Sequence, residues 1–149
     1  LIDLNFANNT LTRLFNAEHV INDLNNRIQY NVPIGQQKLV TKSTIEGVDV
    51  IGCQELNLTP AEVLYNLDLG KTLQAFNSVY DYIILEAGAL NLYSDSKEIA
   101  PYVDSIITVF SAEQALSQTD HDSIRYLIAQ REKQQGVILN KVLTENMDA

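Results

Sequence analysis

Tyr80-Asp81-Tyr82-Ile83-Ile84-Leu85-Glu86 decides how the rest of the chain is read, because an apolar, largely aliphatic run closes there on a carboxylate. A run that is apolar throughout, not alternating, suits a strand covered on both faces of a parallel sheet. Working outward, Val48–Ile51, Ile106–Phe110 and Val137–Asn140 are runs of the same kind. Leu1-Ile2-Asp3-Leu4-Asn5 reads as a further strand already under way at the first residue, so the chain is expected to begin inside a domain.

Between these runs lie helix signals. Thr59-Pro60-Ala61-Glu62 offers a hydroxyl cap, a proline at the first helical position and an acid at the positive end of the dipole. The pattern predicts a helix from there to about Phe76. Ile124, Leu127 and Ile128 fall at i, i+3 and i+4 behind Asp120 and Asp122, which predicts an amphipathic helix ending near Gln135-Gly136. Shorter helices are expected over Thr10–Asn16 and after Ser94-Asp95, while the stretch from Asn22 to Val48 reads as an extended excursion or a helix and loop. Strands alternating with helices imply an α/β fold: a doubly wound, mainly parallel sheet with helices on both faces, in one domain over 1–149.

Composition narrows the function. At 149 residues, 46% hydrophobic and 19% charged, the chain can bury one real core. No apolar run approaches the roughly 20 residues that span a bilayer, and no basic-then-apolar leader opens the sequence, so any membrane association is expected through segments outside it. The net charge is −9 with no block of Lys and Arg, which argues against nucleic acid as a partner. From Asp81 to Asp122 eight acids face the single base Lys97, either as a solvated surface or as a face for a cation or basic partner. The lone Cys53 ends an apolar run and reads as a buried core side chain in a reducing compartment.

In a sheet of this kind ligands bind outside the carboxyl ends of the strands. Asp3 and Asn5 follow the first strand there, Glu86 ends the Tyr82–Leu85 run and Asn140 ends Val137-Ile-Leu. A carboxylate closing an apolar strand is costly to bury without a cation, an amide or solvent beside it. Together these four residues form the candidate site.

These residues resemble a family. Leu1-Ile-Asp3-Leu-Asn5-Phe6 with Leu11-Thr-Arg-Leu-Phe15 resembles the second Walker-type segment of bacterial tyrosine kinases of the capsule and exopolysaccharide systems, an apolar strand ending Asp-x-Asp-x-Arg before a helix with Leu-x-x-Leu-Phe. Val48–Cys53 followed by Thr59-Pro-Ala-Glu-Val-Leu64 is similar to that family's strand, loop and helix start. Tyr80–Glu86 resembles its Walker B strand, Ser94-Asp95 its Ser/Thr-Asp, and Ala100–Asp104 and Gly136–Asn140 complete the order. Almost the whole chain is covered; the order and spacing, not any single element, are specific, and partition-type and septum-site ATPases share only part of them.

The resemblance implies a P-loop NTPase-like fold of the deviant Walker type, with the first strand and phosphate loop before residue 1. It implies ATP or ADP and magnesium as ligands, with Asp3 and Glu86 toward the metal, Asp3 as catalytic residue if the domain is active, and Asn5 and Asn140 in the nucleotide site. It also implies a cytoplasmic domain of, or peripheral partner to, an inner-membrane protein of polysaccharide polymerisation and export, with self-association. The departures are specific: the family's second acid is Asn5, its Arg is Ala7, its Walker B Asp is Glu86, and Ala87-Gly-Ala89 stands for Thr-Pro-Pro. No Gly-rich loop of the form Gly-x-x-x-x-Gly-Lys-Ser/Thr and no tyrosine-rich tail occur among these residues; Gly70-Lys71-Thr72 has Tyr65 where such a loop has its first glycine. Asparagine supplies no charge for a metal, and a methylene more at position 86 displaces the carboxylate by about 1.5 Å, enough to cost on the order of a hundredfold in rate. The expected function is therefore a degenerate kinase-like module of assembly and chain-length regulation in capsular, exopolysaccharide or lipopolysaccharide biosynthesis. The alternative is an active ATP-dependent tyrosine kinase or ATPase whose phosphate loop lies upstream of Leu1.

Overall fold

The computed structural model describes residues 1–24, 32, 37–54 and 60–143. Contacts gather the chain into two compact units, Leu1–Gly88 and Ala89–Ala149. The first contains β1 (Ile2–Asp3), α1 (Thr10–Leu14), a 3-10 turn at Ile21–Asp23, β2 (Thr41–Lys42), β3 (Asp49–Val50), α2 (Pro60–Leu67), α3 (Leu69–Phe76) and β4 (Leu85–Glu86). The second contains α4 (Asp95–Ile99), a 3-10 turn at Ala100–Tyr102, β5 (Ile106–Ser111), α5 (Gln118–Ala129) and β6 (Gln134–Asn140).

In the first unit β1 has a parallel neighbour on each side. It pairs with β4 in the register Ile2 to Leu85 and Asp3 to Glu86, and Ile2 bridges Ile51 just past β3. Gly52 continues that line by bridging Val20 in parallel. In the second unit β5 and β6 run parallel from Ile106–Gln134 to Ser111–Asn140. The expected α/β architecture with parallel sheets is thus present; β3, in a run read as a strand of a parallel sheet, also pairs antiparallel with β2, which lies in the stretch whose form the sequence left open. Ile2, Leu4, Val50, Ile51 and Leu69 are buried apolar side chains of the first unit's core.

Four local expectations are corrected. The helix placed from Thr59 to Phe76 is two helices, because Asp68 adopts a left-handed backbone (φ 45°, ψ 62°) and its carboxylate accepts from the Lys71 amide to cap α3; Thr59 itself lies outside the described residues. The helix expected to reach Gln135-Gly136 stops at Ala129, since the Lys133 carbonyl accepts from the Ile106 amide and Gln134 pairs with β5. The Tyr82–Leu85 strand is paired only at Leu85–Glu86: β1 starts at Ile2, whose amide donates to the Ile84 carbonyl, and Tyr82 lies beyond it, 86% exposed. Finally, β5 and β6 are not covered on both faces. In β5, Ile107 and Val109 are exposed while Ile106, Thr108 and Phe110 are half-buried, because alternate residues of a strand face opposite sides and one side is covered; in β6 the successive residues Val137, Ile138 and Leu139 are all exposed.

Candidate functional site

The register of β1 and β4 sets Asp3 beside Glu86 at the carboxyl edge of two adjacent parallel strands, which lie about 4.8 Å apart in any sheet. Leu4 continues the ladder by donating its amide to the Glu86 carbonyl at 2.8 Å. Residues paired in this way project to the same face, so the two carboxylates share one environment.

Asp3 is fully buried at 0% exposure, and its carboxylate is engaged by the protein itself. The Asn5 amide donates to Oδ1 at 3.0 Å, and Oδ2 accepts from the Thr12 amide at 2.9 Å and the Thr12 hydroxyl at 2.7 Å. Thr12 stands in the first turn of α1, where backbone amides lack partners within the helix, and the preceding Asn9 makes no side-chain cap. Asp3 therefore caps that helix from another strand. The Thr12 hydroxyl in turn accepts from the Cys53 amide at 2.8 Å, which ties the neighbouring strand end to the same point. Gly52 permits the approach: a Cβ there would lie 2.7 Å from Thr12 Cγ2 and 2.9 Å from Ala17 Cβ.

Glu86 is placed differently. Its Oε2 is buried and has no hydrogen-bond partner among the described residues. Burial pushes the carboxyl above its usual range, the charge of Asp3 adds to this, and a hydrogen bond from the Asn5 side chain opposes it. An acid at position 5 would have put a third negative charge here; the amide adds none. Asn5 Oδ1 also accepts from the Asn8 amide at 3.2 Å and closes the turn after β1. Asn9 Nδ2 donates to the Cys53 carbonyl at 3.1 Å, leaving Asn9 Oδ1 as a second buried acceptor without a partner among the described residues. Cys53 is buried, as expected. Its thiol is pushed up to about 12 by burial and then by the Asp3 charge, which keeps it protonated and fits a core side chain.

Of the four candidate residues, then, Asp3, Asn5 and Glu86 converge in the first unit. Asn140 belongs to the second, paired with Ser111 at the end of β6, where its side chain accepts from the Lys141 amide at 2.8 Å. Sequence reasoning missed Thr12 and Asn9, whose only local signal is a hydroxyl in a first helical turn and an amide just before it. Among the described residues no group of three or more His, Cys, Asp or Glu side chains could hold a metal ion. One orphaned carboxylate oxygen beside a second acid nevertheless fits magnesium, which takes one or two carboxylates and fills its remaining positions with water and phosphate oxygens. A separate cleft of about 580 Å³ opens toward the amino ends of the strands, where Lys42 and Asp49 already neutralise each other at 2.7 Å.

No family model matches the chain. It is 25% identical over 150 residues to the tyrosine-protein kinase CpsD of Streptococcus agalactiae, and 26% identical to that of the serotype III strain. Those alignments cover 95% of this chain, which spans about three-fifths of the relatives' own length (61% and 60%). Among solved structures, the VpsO kinase domain superposes with a TM-score of 0.75 at 24% identity, covering 95% of this chain and 69% of that one. The kinase domain of the Escherichia coli tyrosine kinase ETK gives 0.77 at 22% identity, covering 99% and 57%. The chain is therefore a homologue of the CpsD tyrosine kinases, with the fold of the bacterial tyrosine kinase domains of VpsO and ETK.

Proposed function

We propose that this chain is a tyrosine-kinase-like domain acting in capsular or exopolysaccharide biosynthesis, as an assembly and regulatory module more than as an efficient phosphoryl-transfer enzyme. The observation that carries this reading is Asn5, which stands where the family has an acid and whose side-chain oxygen is committed to the turn after β1. Phosphoryl transfer rests on positioned charge, and one negative group is missing where it would be needed. In this reading Asp3 and Glu86 serve a magnesium ion, which supplies neutralisation of nucleotide phosphates when bound, and ATP or ADP is the ligand that sets the state of the module. Chain-length control and contact with the polysaccharide polymerisation and export machinery, including other copies of the protein, on the cytoplasmic side of the membrane, belong to the same proposal and rest on the resemblance carried by the residues quoted above. Among the described residues no helix is long and apolar enough to cross a membrane.

A second reading is favoured by the survival of both carboxylates in register: an active ATP-dependent tyrosine kinase whose phosphate loop precedes Leu1. Incubating the full-length protein with Mg-ATP and probing for phosphotyrosine separates the two. The module reading expects nucleotide binding by calorimetry with little phosphotyrosine; strong phosphorylation lost on Asp3→Ala would replace it with the kinase.

A further inference from the structure

A second place in the first unit has the size and the chemistry of a binding site. The cleft of about 580 Å³ at the amino ends of the strands falls within the roughly 300–1,000 Å³ of ordinary small-molecule pockets, away from the acids at the carboxyl edge. Val40, Val79 and Tyr80 give it an apolar wall. Its ionisable lining sets Glu18 and Asp49 against Lys38 and Lys42, with His19 beside them. Acids and lysines balance, so the lining does not select a phosphate or a metal ion, either of which calls for an excess of one sign.

The polar groups of this cleft are each only partly used. Thr41 Oγ1 accepts from the Glu18 amide at 2.8 Å and the His19 amide at 3.3 Å, so both lone pairs are spent and its proton has no acceptor among the described residues. Lys42 Nζ spends one of its three donors on Asp49 Oδ2 at 2.7 Å, and its side chain is otherwise open to solvent. The Tyr80 hydroxyl gives its proton to the same Oδ2 at 2.6 Å and keeps its oxygen as an acceptor. Lys42 and Tyr80 therefore meet on one oxygen, which sets a spare donor close beside a spare acceptor above the apolar wall.

We propose that this cleft binds a neutral saccharide. A sugar ring has a face of C–H groups, which suits the Val79 and Tyr80 wall, and hydroxyls that each donate and accept, which suits a lysine and a phenol joined at one carboxylate. Binding rests on the cleft alone; its use as a signal of polysaccharide supply rests on the function proposed above and adds a regulatory ligand to it. The ring arrives either as an unactivated sugar, free or at a polymer end, or as the sugar of a nucleoside diphosphate, and the same groups hold it in both cases.

The test is saturation-transfer NMR on the full-length protein, using glucose, galactose, N-acetylglucosamine and lactose at millimolar concentration, and UDP-glucose with UDP as its control. Transfer to the ring protons of a neutral sugar supports the proposal and identifies the unactivated source; transfer to the hexose protons of UDP-glucose alone supports it and identifies the activated one. Lys42→Met and Tyr80→Phe, shown to be folded by circular dichroism, are expected to weaken that binding by about tenfold, whereas Arg125→Met in the second unit leaves it unchanged. Lys42 is exposed, so its replacement reads the contact without disturbing the core. Absence of transfer to every probe would overturn the proposal, as would binding that survives both cleft substitutions. Transfer confined to uracil and ribose protons and matched by UDP would overturn it too, because the ligand would then be a nucleotide. A protein that binds sugar in this cleft but no ADP keeps the cleft assignment and loses the nucleotide reading.

Discussion

Thr12 is the residue on which the site's geometry turns. Its hydroxyl donates to Asp3 and accepts from Cys53, bonds that join residues 9 and 41 positions apart in the chain. Thr12→Val keeps the shape but leaves a carboxylate oxygen short of a donor and an amide without an acceptor. The expected cost is about 2 kcal/mol, since unsatisfied groups of this kind cost about 1–3 kcal/mol each when buried, and urea titration would measure it. At the other end of the strands, Asp49 sits between Lys42 at 2.7 Å and the Tyr80 hydroxyl at 2.6 Å. Burial works to raise its carboxyl, but these two hydrogen bonds outweigh burial and hold it below the ordinary range. A depressed folded value stabilises the fold above the unfolded pKa, and that contribution is lost as the pH falls through the folded one. Glu86 has the opposite sign: its raised value favours the fold at low pH and withdraws that support as the pH climbs through it. Denaturation across the acidic range should therefore show Asp49→Asn flattening the fall in stability toward acid and Glu86→Gln flattening the fall toward neutrality. Unchanged slopes in both variants would contradict this account.

At the scale of elements, capping decides where helices start and stop. Ser117 begins α5 with a reciprocal box: its hydroxyl accepts from the Asp120 amide at 3.3 Å, and the Asp120 carboxylate accepts from the Ser117 amide at 2.7 Å. Asp120 also accepts from Asn91 at 2.7 Å, which fastens the helix start to the loop before α4. Ser117→Ala should destabilise the fold by about 1 kcal/mol, with faster amide exchange concentrated in the first turn of α5. Equal exchange along the whole helix would show that the cap is not the local anchor. The acid-rich stretch between Asp81 and Asp122 is explained in part at this scale. Asp120 caps, Asp122 pairs with Arg125 at 2.8 Å, Glu113 pairs with Lys141 at 2.8 Å, and Asp95 is buried at the start of α4. Several members of the run thus have local partners or positions, so the run need not be read as a single charged face.

For the whole molecule, the contrast between the two units matters most. Leu1–Gly88 buries its parallel strands around β1. The described residues of Ala89–Ala149 form two strands, and Ile107, Val109, Val137, Ile138 and Leu139 on them are each more than half exposed. A two-stranded sheet with exposed apolar side chains on both of its faces is marginal alone. A fragment of residues 89–149 is accordingly expected to bind a hydrophobic dye such as ANS and to unfold without a sharp transition, as followed by circular dichroism. A cooperative melt with no dye binding would count against it.

The sequence by itself determined the alternation of strands and helices, the parallel pairing and the acids at the ends of β1 and β4, because apolar periodicity, turn residues and the position of a charge in a run are local properties of the chain. Homology to the tyrosine kinases was legible for the same reason: Asp3, Glu86 and Ser94-Asp95 keep their order and spacing. Only the tertiary structure decided that Asp3 is consumed by Thr12 while Glu86 keeps an oxygen open, that Asp68 breaks a helix in two, and that β5 is covered on one face while Val137, Ile138 and Leu139 of β6 are exposed on both. Hydrogen-bond partners and burial come from segments distant in sequence, so the chemistry available to each acid depends on neighbours that no local pattern specifies.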